Sequence, residues 1–114
     1  MEDMDEVMQS CFEIIGCVGG ARSQYVEAAN LARGGDIEAA RAKVGEADEL
    51  LAAGHAPHTA LIQRDAAGED IAFRLMLVHA EDQMMAAEVC KIMALQLIDA
   101  YETLGGRIAA LEAR

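Results

Sequence analysis

One stretch decides the fold of this chain: Leu75-Met76-Leu77-Val78-His79-Ala80-Glu81-Asp82-Gln83-Met84-Met85. It consists largely of good helix formers, and around it the apolar residues recur on more than one side of a helix. One face carries Phe73, Leu77, Met84, Leu95 and Ile98, and a second face carries Leu75, Val78, Met85, Val89 and Ile92. A single bundle core covers only one such face. We therefore expect a helical bundle that buries its second face against copies of itself.

Composition points to an all-α domain. Hydrophobic residues make up 54% of the 114 residues but aromatic residues only 4%, and there is one Pro and no Trp. Strands need β-branched and aromatic surfaces, so no sheet is expected. The length fits one domain over residues 1–114.

Charge excludes two classes of partner. Nine Lys and Arg against twenty Asp and Glu give a formal net charge of −11. The resulting field repels phosphate backbones and anionic lipid headgroups, which argues against binding to nucleic acid or to a membrane surface. It attracts basic protein partners, mainly by speeding up encounter.

The cysteines and the N-terminus indicate a cytoplasmic protein. Cys11, Cys17 and Cys90 are odd in number and fall among apolar helix positions, a pattern typical of reduced thiols. No stretch approaches the roughly 18 apolar residues of a membrane span. The first six residues are acidic where a signal peptide would be basic.

Periodicity predicts three helices, at about residues 4–33, 36–64 and 71–104 or longer. Gly34-Gly35 ends the first helix, Asp36 is a suitable N-cap for the second, and Pro57 should kink or interrupt the second. Gly105-Gly106 should weaken the third. Two short connections make an up-down-up antiparallel three-helix bundle. Its core should include two sets at helical spacing: Val7, Cys11, Ile14, Ile15, Val18, Tyr25, Ala29 and Ala32, and Ile37, Ala40, Val44, Ala47, Leu51, Gly54, His58 and Leu61.

His79 is the main candidate for chemistry. It lies one turn before Asp82 and Gln83, which puts the three side chains on one side of the helix. An imidazole can be neutral and nucleophilic at cytosolic pH, and Gln83 is a possible orienting residue for it. A core histidine satisfied by its neighbours is the alternative that the residues leave open. Asp82 falls in the second apolar face, where convergent carboxylates from several subunits need protons or a cation.

The other candidate sites are weaker. His55 and His58 flank Pro57 and suit packing or a local cap, so they are expected to support the site only indirectly. Three scattered histidines and no paired cysteines do not supply a zinc site. Gly16, Gly19 and Gly20 lack the strand and the ending of a phosphate loop, and close approach to a neighbouring helix or partner explains them better.

Several blocks resemble one family, the enzyme IIA component of the lactose/cellobiose (N,N′-diacetylchitobiose) class of the bacterial sugar phosphotransferase system. Leu77-Val78-His79-Ala80-Glu81-Asp82 resembles its Leu-Val-His-Ala/Gly-Gln-Asp block, and Ala67-Gly68-Glu69 resembles the turn before it. Upstream, Gly20-Ala21-Arg22-Ser23 and Ala32-Arg33-Gly34-Gly35-Asp36 are also similar, as is the stretch of His55, Thr59 and Leu61. The resemblance covers nearly the whole chain.

The resemblance implies a cytoplasmic homotrimer of three-helix bundles. It implies that His79 accepts a phosphoryl group at its Nε2 (tele) nitrogen from the carrier HPr and passes it to a cysteine of enzyme IIB. It also implies that three Asp82 carboxylates meet on the trimer axis around a structural Mg²⁺. Backbone near Gly16 to Gly20 is the predicted source of donors for the transferring oxygens. The transported sugar, such as lactose, cellobiose or chitobiose, is not readable because the membrane component selects it.

The chain departs from the family at two positions, where the family has glutamine. Here these positions are His58 and Glu81, and Glu81 is expected to face solvent. Two other functions compete with the phosphocarrier. A histidine phosphotransfer domain of two-component signalling usually has Lys three residues after the histidine, where this chain has Asp82. A non-catalytic helical adaptor would trimerise through the second face without being phosphorylated.

Overall fold

The structure, a computed structural model, describes residues 2–114, with side chains from residue 6 onward. It contains three helices: α1 (Glu2–Arg33), α2 (Ile37–Ala66) and α3 (Leu75–Glu112). Residues 2–114 contain no strand, and both connections are short. The predicted all-α three-helix bundle is therefore confirmed. No helix in this range is long and apolar enough to cross a membrane.

Glycines end the first two helices in the same way. Gly35 has φ +93°, and the N–H of Asp36 donates to the carbonyl of Leu31 at 3.0 Å. Gly68 has φ +92°, and the N–H of Glu69 donates to the carbonyl of Arg64 at 3.1 Å. These bonds close Schellman motifs, in which glycine takes the left-handed conformation without a steric penalty. The predicted N-cap is also confirmed, because Asp36 Oδ1 accepts from the N–H of Ala39 at 3.1 Å.

The third helix starts later than the predicted residue 71. Residues 71–74 have no helical assignment, and Arg74 is extended, with φ −141° and ψ 153°. Ile71 lies in this segment and packs against the core. This packing holds the segment outside the helix, and α3 begins only after it. The predicted start is wrong for this reason.

Two predicted weak points are spanned by continuous helix. α2 runs through Pro57, and Gly54 and Leu61 on either side of the proline are both buried. Their packing maintains the helix across the lost backbone donor. α3 runs through Gly105-Gly106 to Glu112, so the expected weakening at that point is not seen.

The core follows the predicted faces closely. The buried residues of α1 are Val7, Cys11, Ile14, Val18, Ala21, Tyr25, Ala28 and Ala32. Those of α2 are Ala40, Val44, Ala47, Leu51, Gly54 and Leu61, and those of α3 are Ala80, Met84, Ala87, Ala94 and Ile98. Six predicted core residues are only partly buried: Ile15, Ala29, Ile37, His58, Leu77 and Leu95. The largest departure is Phe73. It is 89% exposed because it lies in the extended segment before α3.

Glycine brings α1 and α2 together at one point. A Cβ on Gly54 would lie 2.7 Å from Cγ1 of Val18 and 3.3 Å from Cβ of Cys17. A Cβ on Gly20 would lie 3.1 Å from Cδ1 of Leu50, which also fits the predicted close approach. Gly16 and Gly19 have nothing within 4 Å of such a Cβ. The tightest contact therefore depends on Gly54, which the helical periodicity had placed in the core face.

One polar chain links all three helices. The hydroxyl of buried Tyr25 in α1 donates to Asp48 Oδ1 in α2 at 2.5 Å, and Lys91 Nζ in α3 lies 3.1 Å from the same oxygen. Burial is the largest cause of the raised pKa of Tyr25, and the hydrogen bond to Asp48 and the charge of Asp48 raise this pKa further. The neutral phenol is thus the form that the fold stabilises.

α2 and α3 meet mainly through charged side chains, whereas α1 packs extensively against both. Arg41 Nη2 contacts Asp99 at 3.2 Å and Glu102 at 2.8 Å. Further along α2, Asp48 contacts Lys91. His55 then contacts Glu88, and His58 contacts Glu81. Together these contacts form a ladder between the two helices. This ladder fixes the register of α3 against α2.

Candidate functional site

His79 lies exposed on the first turns of α3. It borders a shallow depression of about 380 Å³ that Leu75 and Met76 also line. Helical side chains tilt toward the N-terminus of their helix, so the ring of His79 lies over the turn that begins α3. An exposed imidazole in this position is accessible to a partner protein.

The start of α3 is a source of hydrogen-bond donors that sequence reasoning missed. Its N-cap residue, Arg74, makes no side-chain capping bond, and the first turn holds no acidic residue. The first bond into the helix is from the N–H of Val78 to the carbonyl of Arg74 at 3.1 Å. Within the described structure, the N–H groups of Leu75, Met76 and Leu77 therefore have no hydrogen-bond acceptor. Such a helix start favours anions through its free donors and its dipole.

The predicted donors in α1 are not available. Gly16 to Gly20 lie in the middle of α1, where each N–H bonds to a carbonyl four residues earlier. The expectation that backbone there would stabilise transferring oxygens is wrong. The late start of α3 after Arg74 would have located the free N–H groups, but the sequence carries no capping signal there.

Asp82 and Gln83 take different positions around His79. Asp82 is exposed and Gln83 is half-buried. Among the side chains from residue 6 onward, no hydrogen bond joins His79 to either of them. The structure thus places the three on neighbouring turns of α3 but does not bring Gln83 into an orienting contact.

Glu81 contacts α2 and its side chain is only 41% exposed, so the expectation that it faces solvent holds only in part. Its Oε1 lies 2.7 Å from Nε2 of His58, whose side chain is 13% exposed. The two atoms are close enough for an ion pair, although the ring N–H is not aligned for a hydrogen bond. Burial and then the charge of Glu81 raise the pKa of the Cys11 thiol, so this carboxylate influences the core side of the bundle.

The remaining histidine makes a similar contact one turn away. His55 Nε2 lies 3.0 Å from Oε1 of Glu88, and the rings of His55 and His58 are edge-to-face with centroids 6.4 Å apart. Both histidines of α2 therefore bind carboxylates of α3, and the structure brings neither to His79. The sequence did not identify these partners, and an indirect role of the two histidines at the site stays a prediction.

A mainly apolar groove of about 280 Å³ lies between α2 and the start of α3. Leu61 and Ile62 of α2 form one wall, Ile71 and Phe73 of the extended segment cross it, and the first turns of α3 close it with Leu77, Val78 and Glu81. His79 does not line this groove and borders the separate depression with Leu75 and Met76.

The second apolar face of α3 is uncovered in a single chain, as expected. Its residues are exposed at 85% for Leu75, 48% for Val78, 46% for Met85, 57% for Val89 and 58% for Ile92. Asp82 is an exposed carboxylate on this face. Across residues 6–114, no three His, Cys, Asp or Glu side chains of one chain could hold a metal ion together. Asp82 therefore fits a cation only if several copies contribute one carboxylate each.

All three cysteines are free thiols, as expected. Cys11 is buried in the core, and Cys17 and Cys90 are half-buried.

Comparison with known proteins agrees with this architecture. The family model described as "PTS system, Lactose/Cellobiose specific IIA subunit" matches residues 9–102. The chain is 41% identical over 100 residues to the lichenan-specific phosphotransferase enzyme IIA component of Bacillus subtilis, covering 88% of this chain and 91% of that protein. It is 37% identical over 98 residues to the lactose-specific EIIA component of Staphylococcus epidermidis, covering 86% of this chain and 94% of the relative.

A solved structure shares the fold. The PTS cellobiose-specific enzyme IIA from Bacillus anthracis superposes with a TM-score of 0.83 at 35% sequence identity, covering 86% of this chain and 90% of that one. These similarities favour a phosphotransferase component over a two-component signalling domain or a non-catalytic adaptor. The chain belongs to the family of lactose/cellobiose-specific IIA subunits of the sugar phosphotransferase system, and it is a phosphotransferase component.

Proposed function

We propose that His79 carries the phosphoryl group of this component, receiving it from phospho-HPr and passing it to a cysteine of enzyme IIB. The observation that carries the proposal is the position of His79, exposed over the uncapped first turn of α3. His55 and His58, by contrast, are engaged with carboxylates between α2 and α3.

The transfer conserves the phosphoryl group in each step. The neutral Nε2 of His79 attacks phosphorus, a new P–N bond forms, and the P–N bond to the HPr histidine breaks, leaving that imidazole with its electron pair. In the second step, a thiolate of enzyme IIB attacks phosphorus and the His79 imidazole leaves. Such transfers need mainly alignment and stabilisation of the phosphoryl oxygens. The N–H groups of Leu75 to Leu77 are the donors best placed to provide that stabilisation.

Neighbouring residues have supporting roles in the proposal. Gln83, one turn after His79, would orient the ring once a partner has bound, since catalytic hydrogen bonds often tighten only in the complex. The apolar side chains of Leu75 and Met76 border the depression beside His79 and would exclude water when HPr or enzyme IIB covers it. The acidic net charge of −11 would speed encounter with partners that present a basic surface.

We further propose that the protein is a homotrimer, assembled through the exposed face of α3. This face is a contiguous row of large apolar side chains that a single chain leaves in water. In a threefold arrangement the three Asp82 carboxylates would meet on the axis and could hold one Mg²⁺, which prefers oxygen ligands. The ion would offset charge repulsion between the carboxylates and have a structural role.

We infer the class of transported sugar and the compartment from the relatives. Their names specify lichenan, lactose and cellobiose, so the system served by this chain would take up a β-linked glucan fragment or disaccharide. The sugar would bind the membrane component and not this chain. Free thiols and phosphocarrier partners suit the cytoplasm.

Transfer to enzyme IIB tests the proposal as a complete relay. The chain is phosphorylated with phosphoenolpyruvate, enzyme I and HPr, freed of HPr, and mixed with the enzyme IIB of a lactose or cellobiose system. We expect labelled phosphate to move to the IIB cysteine from wild type and from the His55→Ala control, but not from His79→Ala. Transfer from His79→Ala at the wild-type rate would contradict the proposal.

A further inference from the structure

Arg74 is the N-cap residue of α3 and lies beside the proposed phosphoryl site. Its backbone is extended, with φ −141° and ψ 153°. An N-cap side chain starts next to the first N–H groups of its helix, which is why serine or aspartate at this position bonds to them. The side chain of Arg74 therefore begins beside the free N–H groups of Leu75 to Leu77. His79 leans toward the same end of α3.

The guanidinium of Arg74 is not committed to another role in the fold. The residue is half-buried, and among the side chains from residue 6 onward its head forms no hydrogen bond and no ion pair. Glu81, two turns later on the same side of α3, is engaged by His58, with 2.7 Å between Oε1 and Nε2. The first turn of α3 contains no acidic residue. The guanidinium is therefore available to an anion at the start of α3.

The charge of Arg74 stands alone in an acidic stretch. Residues 65–90 contain six Asp and Glu but a single Lys or Arg, which is Arg74. A phosphoryl group on His79 would add about 1.5 to 2 negative charges to this stretch at pH 7. Repulsion from the carboxylates opposes that addition, and a nearby cation offsets it. Arg74 is the residue of this stretch that supplies such a charge.

A guanidinium also suits a phosphoryl group in shape. Its planar fork donates to two phosphoryl oxygens at once, and it stays protonated at every physiological pH. The stem of an arginine is long and flexible, so its head can turn over the helix start while the stem packs on the protein. In phosphoryl transfer, stabilisation of the transferring oxygens by such donors supplies much of the rate.

We propose that Arg74 is a further catalytic residue of the phosphoryl transfer. Its guanidinium binds two oxygens of the phosphoryl group during the transfer, and the N–H groups of Leu75 to Leu77 bind the remaining oxygen. The P–N bond to the donor histidine breaks and the P–N bond to Nε2 of His79 forms. Arg74 forms no covalent bond and gives up no proton. The inference rests on the proposed role of His79 and adds a cation to that site.

Arg74→Gln tests the inference, because it removes the charge and keeps a polar side chain. With phospho-HPr as donor, kcat for phosphorylation of the chain should fall about 10- to 100-fold, whereas KM for phospho-HPr should stay within about threefold. Arg74→Lys keeps the charge without the fork, so its kcat should lie between those of wild type and Arg74→Gln.

Arg107→Gln is the matched control. It removes the same charge from an exposed arginine of the same helix, about 50 Å from Arg74 at the usual rise per residue. Its kcat and KM should equal those of wild type. Unchanged kcat in Arg74→Gln, or an equal loss of kcat in Arg107→Gln, would overturn the inference.

Two more measurements distinguish contact with the phosphoryl group from a structural role. The melting temperature of unphosphorylated Arg74→Gln should lie within about 2 °C of wild type, since the guanidinium makes no ion pair in the described structure. The ³¹P resonance of the phosphohistidine should shift in Arg74→Gln but not in Arg107→Gln. An unshifted resonance in Arg74→Gln would contradict the contact.

The site of the label separates this inference from the proposed function. Phosphate that reaches His79 in Arg74→Gln, only more slowly than in wild type, supports both. Phosphate that reaches His79 in Arg74→Gln at the wild-type rate would overturn the role of Arg74 and leave the phosphocarrier in place. Phosphate on another residue of the wild-type chain would overturn the proposed function, and the role of Arg74 with it.

Discussion

His58 and Glu81 are partners across α2 and α3, with 2.7 Å between Nε2 and Oε1. They are also the two positions at which the chain departs from the glutamines of the family it resembles. The contact explains why Glu81 can lie two residues from His79 without facing it, since residues two apart point to different sides of a helix. The two departures are thus in contact with each other, at the face of α3 that packs against α2.

A double-mutant cycle should detect this coupling. His58→Gln and Glu81→Gln, singly and together, should give a coupling free energy of about 0.5 to 1 kcal/mol in urea unfolding, because the pair is only partly screened from solvent. The coupling should shrink in 1 M NaCl. Glu81→Gln should also leave the rate of phosphorylation by HPr within about twofold of wild type. A tenfold faster rate would place Glu81 in the site after all.

Tyr25→Phe should lower the free energy of unfolding by about 1 to 2 kcal/mol near pH 8, because the bond to Asp48 is lost. The raised pKa of Tyr25 also makes stability depend on alkaline pH. The folded state keeps the phenol proton, while the unfolded chain loses it above about pH 10. The stabilisation by Tyr25 is therefore complete below that pH. Above it, the free energy of unfolding declines by about 1.4 kcal/mol per pH unit.

Urea unfolding at pH 8 and pH 11 checks the effect of Tyr25. The difference in free energy of unfolding between wild type and Tyr25→Phe should be smaller at pH 11 than at pH 8. Tyr101→Phe, at the exposed tyrosine, is the control and should track wild type at both values. A constant difference between wild type and Tyr25→Phe would show that ionisation of this tyrosine is not linked to folding.

Gly54→Ala should lower the free energy of unfolding by about 1 to 3 kcal/mol, because the new methyl group would overlap Val18 at the contact of α1 with α2. Gly45→Ala in the same helix is the matched control. Its Cβ would meet nothing within 4 Å, so that variant should gain about 0.5 to 1 kcal/mol from helix propensity. Thermal unfolding of both variants distinguishes them, and stabilisation by Gly54→Ala would contradict the packing described here.

Asp82→Leu should keep the proposed trimer and remove its need for a divalent cation. Replacing convergent carboxylates by apolar side chains removes repulsion and adds buried surface, so the dissociation constant should stay the same or fall. Light scattering with and without EDTA measures both effects. A monomeric Asp82→Leu protein would argue against the axial position of this residue.

Periodicity predicted most of the fold because the buried positions of α1 and α2 are regular. Val7, Cys11 and Ile14 of α1, like Val44 and Leu51 of α2, repeat at helical spacing without interruption. The start of α3 was not predictable in this way. Arg74 offers no side-chain cap, and the extended path from Ile71 depends on packing against the assembled core.

The main residue of the candidate site could be predicted from the sequence, but its surroundings could not. His79 and Asp82 could be found from their spacing and from the second apolar face. The contacts of His55 and His58 with Glu88 and Glu81 could not, because they depend on the rotation and register of α2 against α3. The free N–H groups of Leu75 to Leu77 were not predictable either, because the sequence does not show where α3 begins.

The most direct test of the central claim is to identify the phosphorylated atom. Wild-type chain is incubated with phosphoenolpyruvate, enzyme I and HPr, and the acid-labile phosphate is located by fragmentation mass spectrometry and ³¹P NMR. The account predicts one phosphoryl group per chain, on Nε2 of His79, and no labelling of His79→Ala. Phosphate on His55 or His58, or labelling that persists in His79→Ala, would contradict it.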